Sequence, residues 1–566
     1  MKPKLLILSA IVLFSGLIRL IFLNSIPSAI TNDELHFVLN SKSIYYGFTN
    51  IEGNANPFKL SEISSFLFAP IIGPLPNSLF YARLPNVLVL CFSVILVYLI
   101  VLKLTRNLSL ALISALVFSL NPWSIYVSRT AFDAPVAIFF YLLTIYLLSL
   151  DKARYILLSC FTGILAFYSY IATKVIYFPI ILFTSFYIWK FFQNKNGRYY
   201  FFAIIFSFII TINFILTLPN QLSGNRISEI QSPNAEVIKD QVNLERRQSL
   251  QVPFVREVLT NKYTVYFRVF VQKYQNSFSN DTLFLNGDKT ATGSLWRQGY
   301  FYYIDALLIL FGIIFLYLKY KKFLILLITL ILLAPLPEAF RSSQIPSYVF
   351  HSSLQFPLIS ILSASGILLF WQIFRQKIIR VLLVAIYLLC FLNFFDLYFF
   401  KAPIYQPESF FFSHRVLSKF LAIESSHNQD IYVLSQEPEV LFRAHLFYTD
   451  YYQKDKYDYI KSIYSNTKDK DNLTLGRIHF INHQKYLPNS NNYTLIYDSI
   501  HFNFEGDDNT IYISNLSDVG NIFSIKGNLS CQNLVLSTYP NNIFLKDLYL
   551  EKLGEGDFCK KYINIK

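Results

Sequence analysis

Eleven apolar stretches dominate the chain, near residues 5–23, 84–102, 108–122, 134–150, 155–171, 175–193, 199–218, 303–318, 323–337, 352–371 and 378–398. A helix rises about 1.5 Å per residue, so about 20 apolar residues cross a hydrocarbon core of about 30 Å. In lipid only helices or closed barrels satisfy every backbone group. Repetition on this scale therefore predicts a polytopic α-helical membrane protein with about 11 transmembrane helices. Composition agrees: of 566 residues 54% are hydrophobic and 15% charged, against about a quarter charged in a soluble protein. A water-soluble enzyme is excluded. So is disorder, since 56 Phe and 40 Tyr supply far more buriable surface than a disordered chain contains.

The connectors alternate in charge. Short ones carry Lys2 and Lys4; Lys103 and Arg106; Lys152 and Arg154; Lys190, Lys195 and Arg198; Lys319, Lys321 and Lys322; and Arg375, Lys377 and Arg380. By the positive-inside rule this set faces the cytoplasm together with the N-terminus. The other set then faces outward: residues 24–83, 123–133, 172–174, 219–302, 338–351 and the tail from about 400. A multi-pass protein of the plasma (inner) membrane is expected. The formal net charge of +14 is in part an orientation signal, and nucleic acid is not needed as a partner.

The division expected is a membrane domain over 1–400, with long outer loops 24–83 and 219–302, and an extracytoplasmic domain over 401–566. The tail is rich in Asp, Asn, Lys and Tyr, with β-branched runs such as 430–434 and 493–497 between turn residues, which reads as an α/β or mixed domain. Cys91, Cys160 and Cys390 lie in apolar runs as small hydrophobes. Cys531 and Cys559 stand alone in the tail and can pair if it lies outside the cell.

Chemistry concentrates in the outward loops. Residues 31–36 read Thr-Asn-Asp-Glu-Leu-His. Thr31 and Glu34 have capping-box spacing, Asp33 falls in the first turn, and the helix that follows reads as interfacial. A helix N-terminus also holds Asp33 ionised, suited to general-base work or to a divalent metal with His36 one turn on. Asn56-Pro57 opens a second amphipathic helix bearing Lys59 and Glu62. In Ser128-Arg129-Thr130-Ala131-Phe132-Asp133, Asp133 either caps the next helix and pairs with Arg129, or is a second acid near Asp33. Lys174, Arg297 and Arg341, with Tyr303 and His351, are outward groups suited to an anionic headgroup.

Together, the acidic pair in a long first outer loop, the interfacial helix pair, the Ser-Arg-x-x-Phe-acid motif, Tyr168-x-Tyr170 leading into Lys174, and Ala334-Pro335-Leu336-Pro337 before Arg341 resemble polyprenyl-phosphate-sugar-dependent glycosyltransferases. These include protein O-mannosyltransferases and aminoarabinose transferases, which share the GT-C membrane fold. The resemblance covers roughly residues 5–400. It implies transfer of a sugar from a polyprenyl-phosphate donor to a glycan, lipid or protein acceptor, with inversion. Asp33 is implied as general base, Glu34 as its neighbour, and Asp133 as the second acid with Arg129 beside it. Lys59, Arg297 or Arg341 would meet the departing phosphate, although the Lys-Pro-Pro run of many relatives is absent at Lys59. A divalent metal serves some relatives, with Asp33, His36 and Glu62 as candidates. No phosphate-cradling glycine motif suggests a nucleotide sugar. The competing class is a multi-span lipid or glycan transporter or flippase, which usually needs ionisable groups at mid-membrane depth.

Overall fold

The computed structural model describes residues 3–54, 63–192, 196–221, 235–288, 290–341, 348–426, 429–467, 470–488, 493–502, 504, 510–517, 520–527, 531 and 543–565. Each of the eleven apolar stretches lies on a helix. The first part of the chain contains α1 (Pro3–Leu20), α2 (Asn32–Gly47), α3 (Ile63–Ile72), α4 (Leu79–Thr105), α5 (Leu108–Leu120), α6 (Pro122–Ser128), α7 (Ala134–Ser149), α8 (Ala153–Ser169), α9 (Lys174–Phe191) and α10 (Gly197–Gln221). Helices Tyr303–Lys319, Lys321–Leu333, Gln355–Ile373 and Lys377–Asp396 complete the bundle.

Among the described residues six helices are long and apolar enough to span, or seven if α5 and α6, bent by 59° between them, form one span. That is fewer than the eleven read from the sequence. Four apolar helices, including α7 and α8, fall in the class of 10–17 residues; at about 1.5 Å per residue even the longest of these reaches only about 25 Å.

Four of the basic connectors, around residues 107, 151, 191–196 and 320, are linked to one another in pairs among the described residues. Asn107 Nδ2 donates to Tyr320 Oη at 3.1 Å, Asn196 Nδ2 to the Asp151 carbonyl at 2.9 Å, and Lys322 Nζ to the Phe191 carbonyl at 2.8 Å. Elsewhere, helices Tyr303–Lys319 and Gln355–Ile373 cross at two glycines. A Cβ on Gly312 would overlap the Leu362 carbonyl, and one on Gly366 the Leu308 carbonyl. Small residues let backbones approach this closely where lipid supplies no hydrophobic drive.

The tail forms a mixed sheet of seven strands in the order β2-β3-β1-β4-β6-β5-β7, from β1 (Asp430–Leu434), β2 (Asn472–Leu475), β3 (Ile478–Ile481), β4 (Tyr493–Asp498), β5 (Ile511–Ser514), β6 (Asn521–Lys526) and β7 (Ile563–Ile565). β1 is parallel to β3 and β4, and the remaining pairs are antiparallel. Both segments read as strands, 430–434 and 493–497, pair in register as β1 and β4. Cys531 and Cys559 are joined in a disulfide, with Cα atoms 5.6 Å apart.

Helices Phe412–Glu424 and Pro438–Tyr448 pack together; His445 is buried, His414 lies half-buried against the Phe411 and Phe523 rings, and desolvation lowers both pKa values from 6.5 to about 4. Both rings are therefore neutral in the fold, whereas the unfolded chain charges them below about pH 6.5. Their stabilising share is complete above that pH and is lost as pH falls toward about 4. Hydrogen exchange in the full-length chain, corrected for its intrinsic pH dependence, is expected to be faster across β1–β6 at pH 5 than at pH 7. A His414→Gln, His445→Gln variant should lose most of that difference; retention of the full difference would assign it to other groups.

Candidate active site

Between α1 and α2 the chain runs through an irregular segment whose carbonyls need donors that a helix would have supplied. Buried arginines supply them. Arg83 Nη1 donates to the Leu23 and Pro27 carbonyls, each at 3.0 Å, and its Nη2 to that of Ala29. Arg129 donates to the Arg19 carbonyl at 2.6 Å and the Ile26 carbonyl at 2.8 Å, its guanidinium 4.7 Å from the Phe399 ring centroid. Arg415, from the tail domain, reaches the Ser28 carbonyl. The expected pairing of Arg129 with Asp133 is therefore corrected: a guanidinium with five donors in a rigid fork goes where several orphan carbonyls converge.

This held segment delivers Thr31 to the start of α2, where the expected capping box forms. The Thr31 N–H and hydroxyl each donate to Glu34 Oε2 at 2.9 Å, while Thr31 Oγ1 accepts from the Glu34 N–H at 3.3 Å. Glu34 Oε1 accepts from the Ala131 N–H at 2.6 Å. Glu34 is fully buried; both its oxygens are occupied, and they lock the Asp33 loop to the Asp133 loop. Its role beside a reacting group thus gives way to a positioning one.

Part of α2 is covered by the tail domain. Its residues from Asn40 to Ile44 are buried against the tail domain: Ser43 Oγ lies 2.7 Å from Tyr452 Oη, the Ile30 N–H donates to Tyr448 Oη at 2.9 Å, and Asn77 N–H to Asp450 Oδ1 at 2.6 Å. A helix with polar residues on several sides lies stably here because a second domain covers it.

Asp33 contrasts with Glu34. It is exposed in the first turn of α2, and among the described residues no hydrogen bond or ion pair is shown on its carboxylate. Asp133 is buried at the start of α7, where its side chain makes no N-cap bond of the usual kind. Its carboxyl pKa is driven well above the usual range, first by burial and then by the negative charge of Asp33, with Lys174 among the opposing influences. The two acids and Lys174 are thus brought together. Tyr170 and Tyr348 join them: burial and then the charges of Asp33 and Asp133, among others, raise the Tyr348 phenol well above its usual value.

On the other side of these tyrosines Arg341 pairs with the buried Glu338, Nε at 3.1 Å from both oxygens and Nη2 at 2.9 Å from Oε1. His351 lies 3.4 Å from Glu338 and against both tyrosine rings, at centroid distances of 5.9 and 5.0 Å. Lys174 Nζ donates to the Phe167 carbonyl at 3.0 Å and sits 4.9 Å from the Phe167 and Tyr168 ring centroids. The cluster therefore offers one exposed carboxylate, one carboxyl biased toward its protonated form, a lysine whose pKa burial lowers to about 7, an arginine paired with a buried glutamate and two phenols.

The sequence reading missed Glu338 and Tyr348. Glu338 had a local signal, three residues before Arg341 on one turn; Tyr348 had none. Arg297 is exposed, its guanidinium over the adjacent Trp296 ring at 5.1 Å. Tyr303 is exposed at the start of its own helix. Neither is shown in contact with the acidic pair.

Lys59 and Glu62 lie outside the described residues. His36 turns from Asp33 to the tail domain, its Nδ1 3.2 Å from Arg443 Nη1, and a guanidinium there opposes a metal cation. Among the described residues no three His, Cys, Asp or Glu side chains gather to hold a metal ion.

The two neighbouring acids make separable predictions. Glu34→Ala leaves the Ala131 and Thr31 donors without acceptors in the interior, expected to cost about 2–5 kcal/mol. Its thermal midpoint in nanodiscs should fall, whereas Asp33→Asn should leave the midpoint within about 1 kcal/mol of wild type, the scale of a helix-dipole contact. Equal midpoints for Glu34→Ala and wild type would reject the lock.

No protein-family model and no curated protein matches the chain. Among solved structures it is similar to ArnT from Cupriavidus metallidurans bound to undecaprenyl phosphate, at 7% identity over 91% of this chain and 97% of that one, TM-score 0.48. It is also similar to the archaeal oligosaccharyltransferase AglB from Archaeoglobus fulgidus in complex with an inhibitory peptide and a dolichol-phosphate, at 12% identity, with a TM-score of 0.43. A third is the S. cerevisiae protein O-mannosyltransferase Pmt1-Pmt2 complex bound to the sugar donor, at 16% identity over 41% of this chain and 36% of that chain, TM-score 0.31. The AglB match covers 78% of this chain and 63% of that one, so the chain spans less than two thirds of the archaeal protein's length.

Proposed function

We propose that the protein is a membrane glycosyltransferase that moves a sugar from a polyprenyl-phosphate donor to an acceptor hydroxyl on the extracytoplasmic face. The observation that carries this reading is the exposed Asp33 carboxylate beside the buried Asp133 at the end of an apolar bundle, with Lys174 acting on Asp133 and Arg341 on Tyr348. A polyprenyl chain needs lipid and its phosphate needs cations; both are adjacent here. The family resemblance of the sequence agrees.

In the reaction the acceptor oxygen attacks the anomeric carbon and forms the new glycosidic bond. The bond from that carbon to the phosphate oxygen breaks with its electron pair, and the acceptor proton passes to Asp33. Attack opposite the leaving group inverts the anomeric centre. Lys174 and Arg341 stabilise the charge gathering on the phosphate. Asp133, whose pKa is driven up by burial and by Asp33, is biased toward the form that can donate a hydrogen bond to a sugar hydroxyl without adding a second charge.

The test uses the full chain in proteoliposomes, supplied with polyprenyl-phosphate-linked sugars and a cell-envelope extract as acceptor source, following release of free polyprenyl phosphate and label on the acceptor. Stoichiometric appearance of both supports the reading. Labelled donor that crosses the bilayer intact, with no sugar released, would return the assignment to a flippase.

A further inference from the structure

We propose that the helical hairpin of residues 235–276 docks on the surface of the surrounding bilayer, with the segment from Leu250 to Leu259 at the headgroup–acyl boundary. The hairpin consists of helices Ala235–Arg247, Pro253–Leu259 and Lys262–Asn276. Its own core is small, formed by Ile238, Val242 and Val265 with Val269 against them. The shape is nevertheless fixed: Arg246 Nε donates to the Thr260 carbonyl at 2.7 Å, Arg268 pairs with Glu245 at 2.9 Å, and Asn261 and Thr264 form a capping box.

Outside that core the apolar residues point away from the protein. Leu250, Val252, Phe254, Val258, Tyr263 and Phe267 are each more than half exposed, Phe254 at 78%, and helix Pro253–Leu259 has no buried residue. A contiguous apolar face of this kind marks an interaction surface.

Two observations choose the occupant. The first is charge. From Leu244 to Arg268 the chain carries five cations, Arg246, Arg247, Arg256, Lys262 and Arg268, against Glu245 and Glu257, a net charge of +3. Apolar residues interleaved with cations suit an anionic lipid surface, where each basic residue adds about 1 kcal/mol. The second is continuity with the bundle. Lys273 Nζ donates to the Arg341 carbonyl, Tyr274 Oη to the Leu332 carbonyl at 2.8 Å, and Phe270 meets Phe340 at 5.0 Å between ring centroids. The hairpin is thus fastened to the end of an apolar helix that itself lies in the membrane.

Spin labels placed one at a time at positions 254, 258 and 239 test this. The full chain carries Cys91, Cys160 and Cys390 replaced by Ala and keeps the Cys531–Cys559 disulfide. It is reconstituted in phosphatidylcholine vesicles containing phosphatidylglycerol, and relaxation by molecular oxygen is compared with relaxation by a water-soluble nickel complex. Positions 254 and 258 are expected to favour oxygen severalfold over the exposed control at Lys239. Nickel-dominated relaxation at 254 and 258 would place the face in water and overturn the proposal. So would low access to both reagents, which marks a protein surface, such as a second copy, over the hairpin. All three sites are exposed, so labelling removes no core contact.

Discussion

Asp33→Asn is expected to lower the rate of sugar transfer by about 10²–10⁴-fold, the range a positioned general base contributes, with little change in donor binding or in thermal midpoint. The argument starts from the helix. Thr31 and Glu34 close the capping box of α2, so the first turn is rigid and Asp33 is carried on it rather than on a loop. An amide at this position keeps the size and the helix but cannot take a proton. Because Asp33 helps raise the Asp133 carboxyl, the same variant should also shift the alkaline limb of any residual pH–rate profile downward, as Asp133, needed in its protonated form, loses its proton at lower pH. Wild-type transfer by Asp33→Asn would sink the proposed base.

Gly366→Leu is expected to prevent accumulation of folded protein, and Gly366→Ala to destabilise it by about 3 kcal/mol or more, above the usual range for overpacking. The usual range describes side chains pressing on side chains, which yield by changing rotamer. Here the added Cβ would meet the backbone carbonyl of Leu308, and one on Gly312 that of Leu362, so relief requires helices Tyr303–Lys319 and Gln355–Ile373 to separate along their length. The second of these helices follows directly on the 348–351 turn that carries Tyr348 and His351, so the cluster around Asp133 should be displaced as well. Size-exclusion profiles after heating in detergent read the effect. A Gly366→Ala midpoint within a degree or two of wild type would show that the helices part easily and reject the argument.

The reach of the sequence can be judged from particular residues. The capping box of Thr31 and Glu34 was legible because both partners lie within one helical turn. The strands at 430–434 and 493–497 were legible because alternation and turn residues are local signals. The eleven helices were legible from hydropathy, yet the number long enough to span was not, since a boundary shift of two or three residues decides whether about 30 Å is reached. Arg129 was misassigned because i,i+4 spacing within a turn says nothing about carbonyls more than a hundred residues away that compete for the same guanidinium. The partner of His36 was out of reach for the same reason: Arg443 lies in another domain.

By itself the sequence determined that the chain is a helical membrane protein with a separate mixed domain, and it singled out the outward loops as the location of the chemistry. Periodicity, hydropathy and charge asymmetry are one-dimensional quantities, and they suffice for that. Tertiary structure alone decided which of the charged residues meet. It joined Asp33 with Asp133, Tyr170 and Tyr348, turned Glu34 and Arg129 into fastenings, and left Arg297 exposed on its own tryptophan. The physical reason is desolvation. A carboxylate or guanidinium is an ordinary surface charge until burial removes its water, and burial depends on segments brought in from distant parts of the chain.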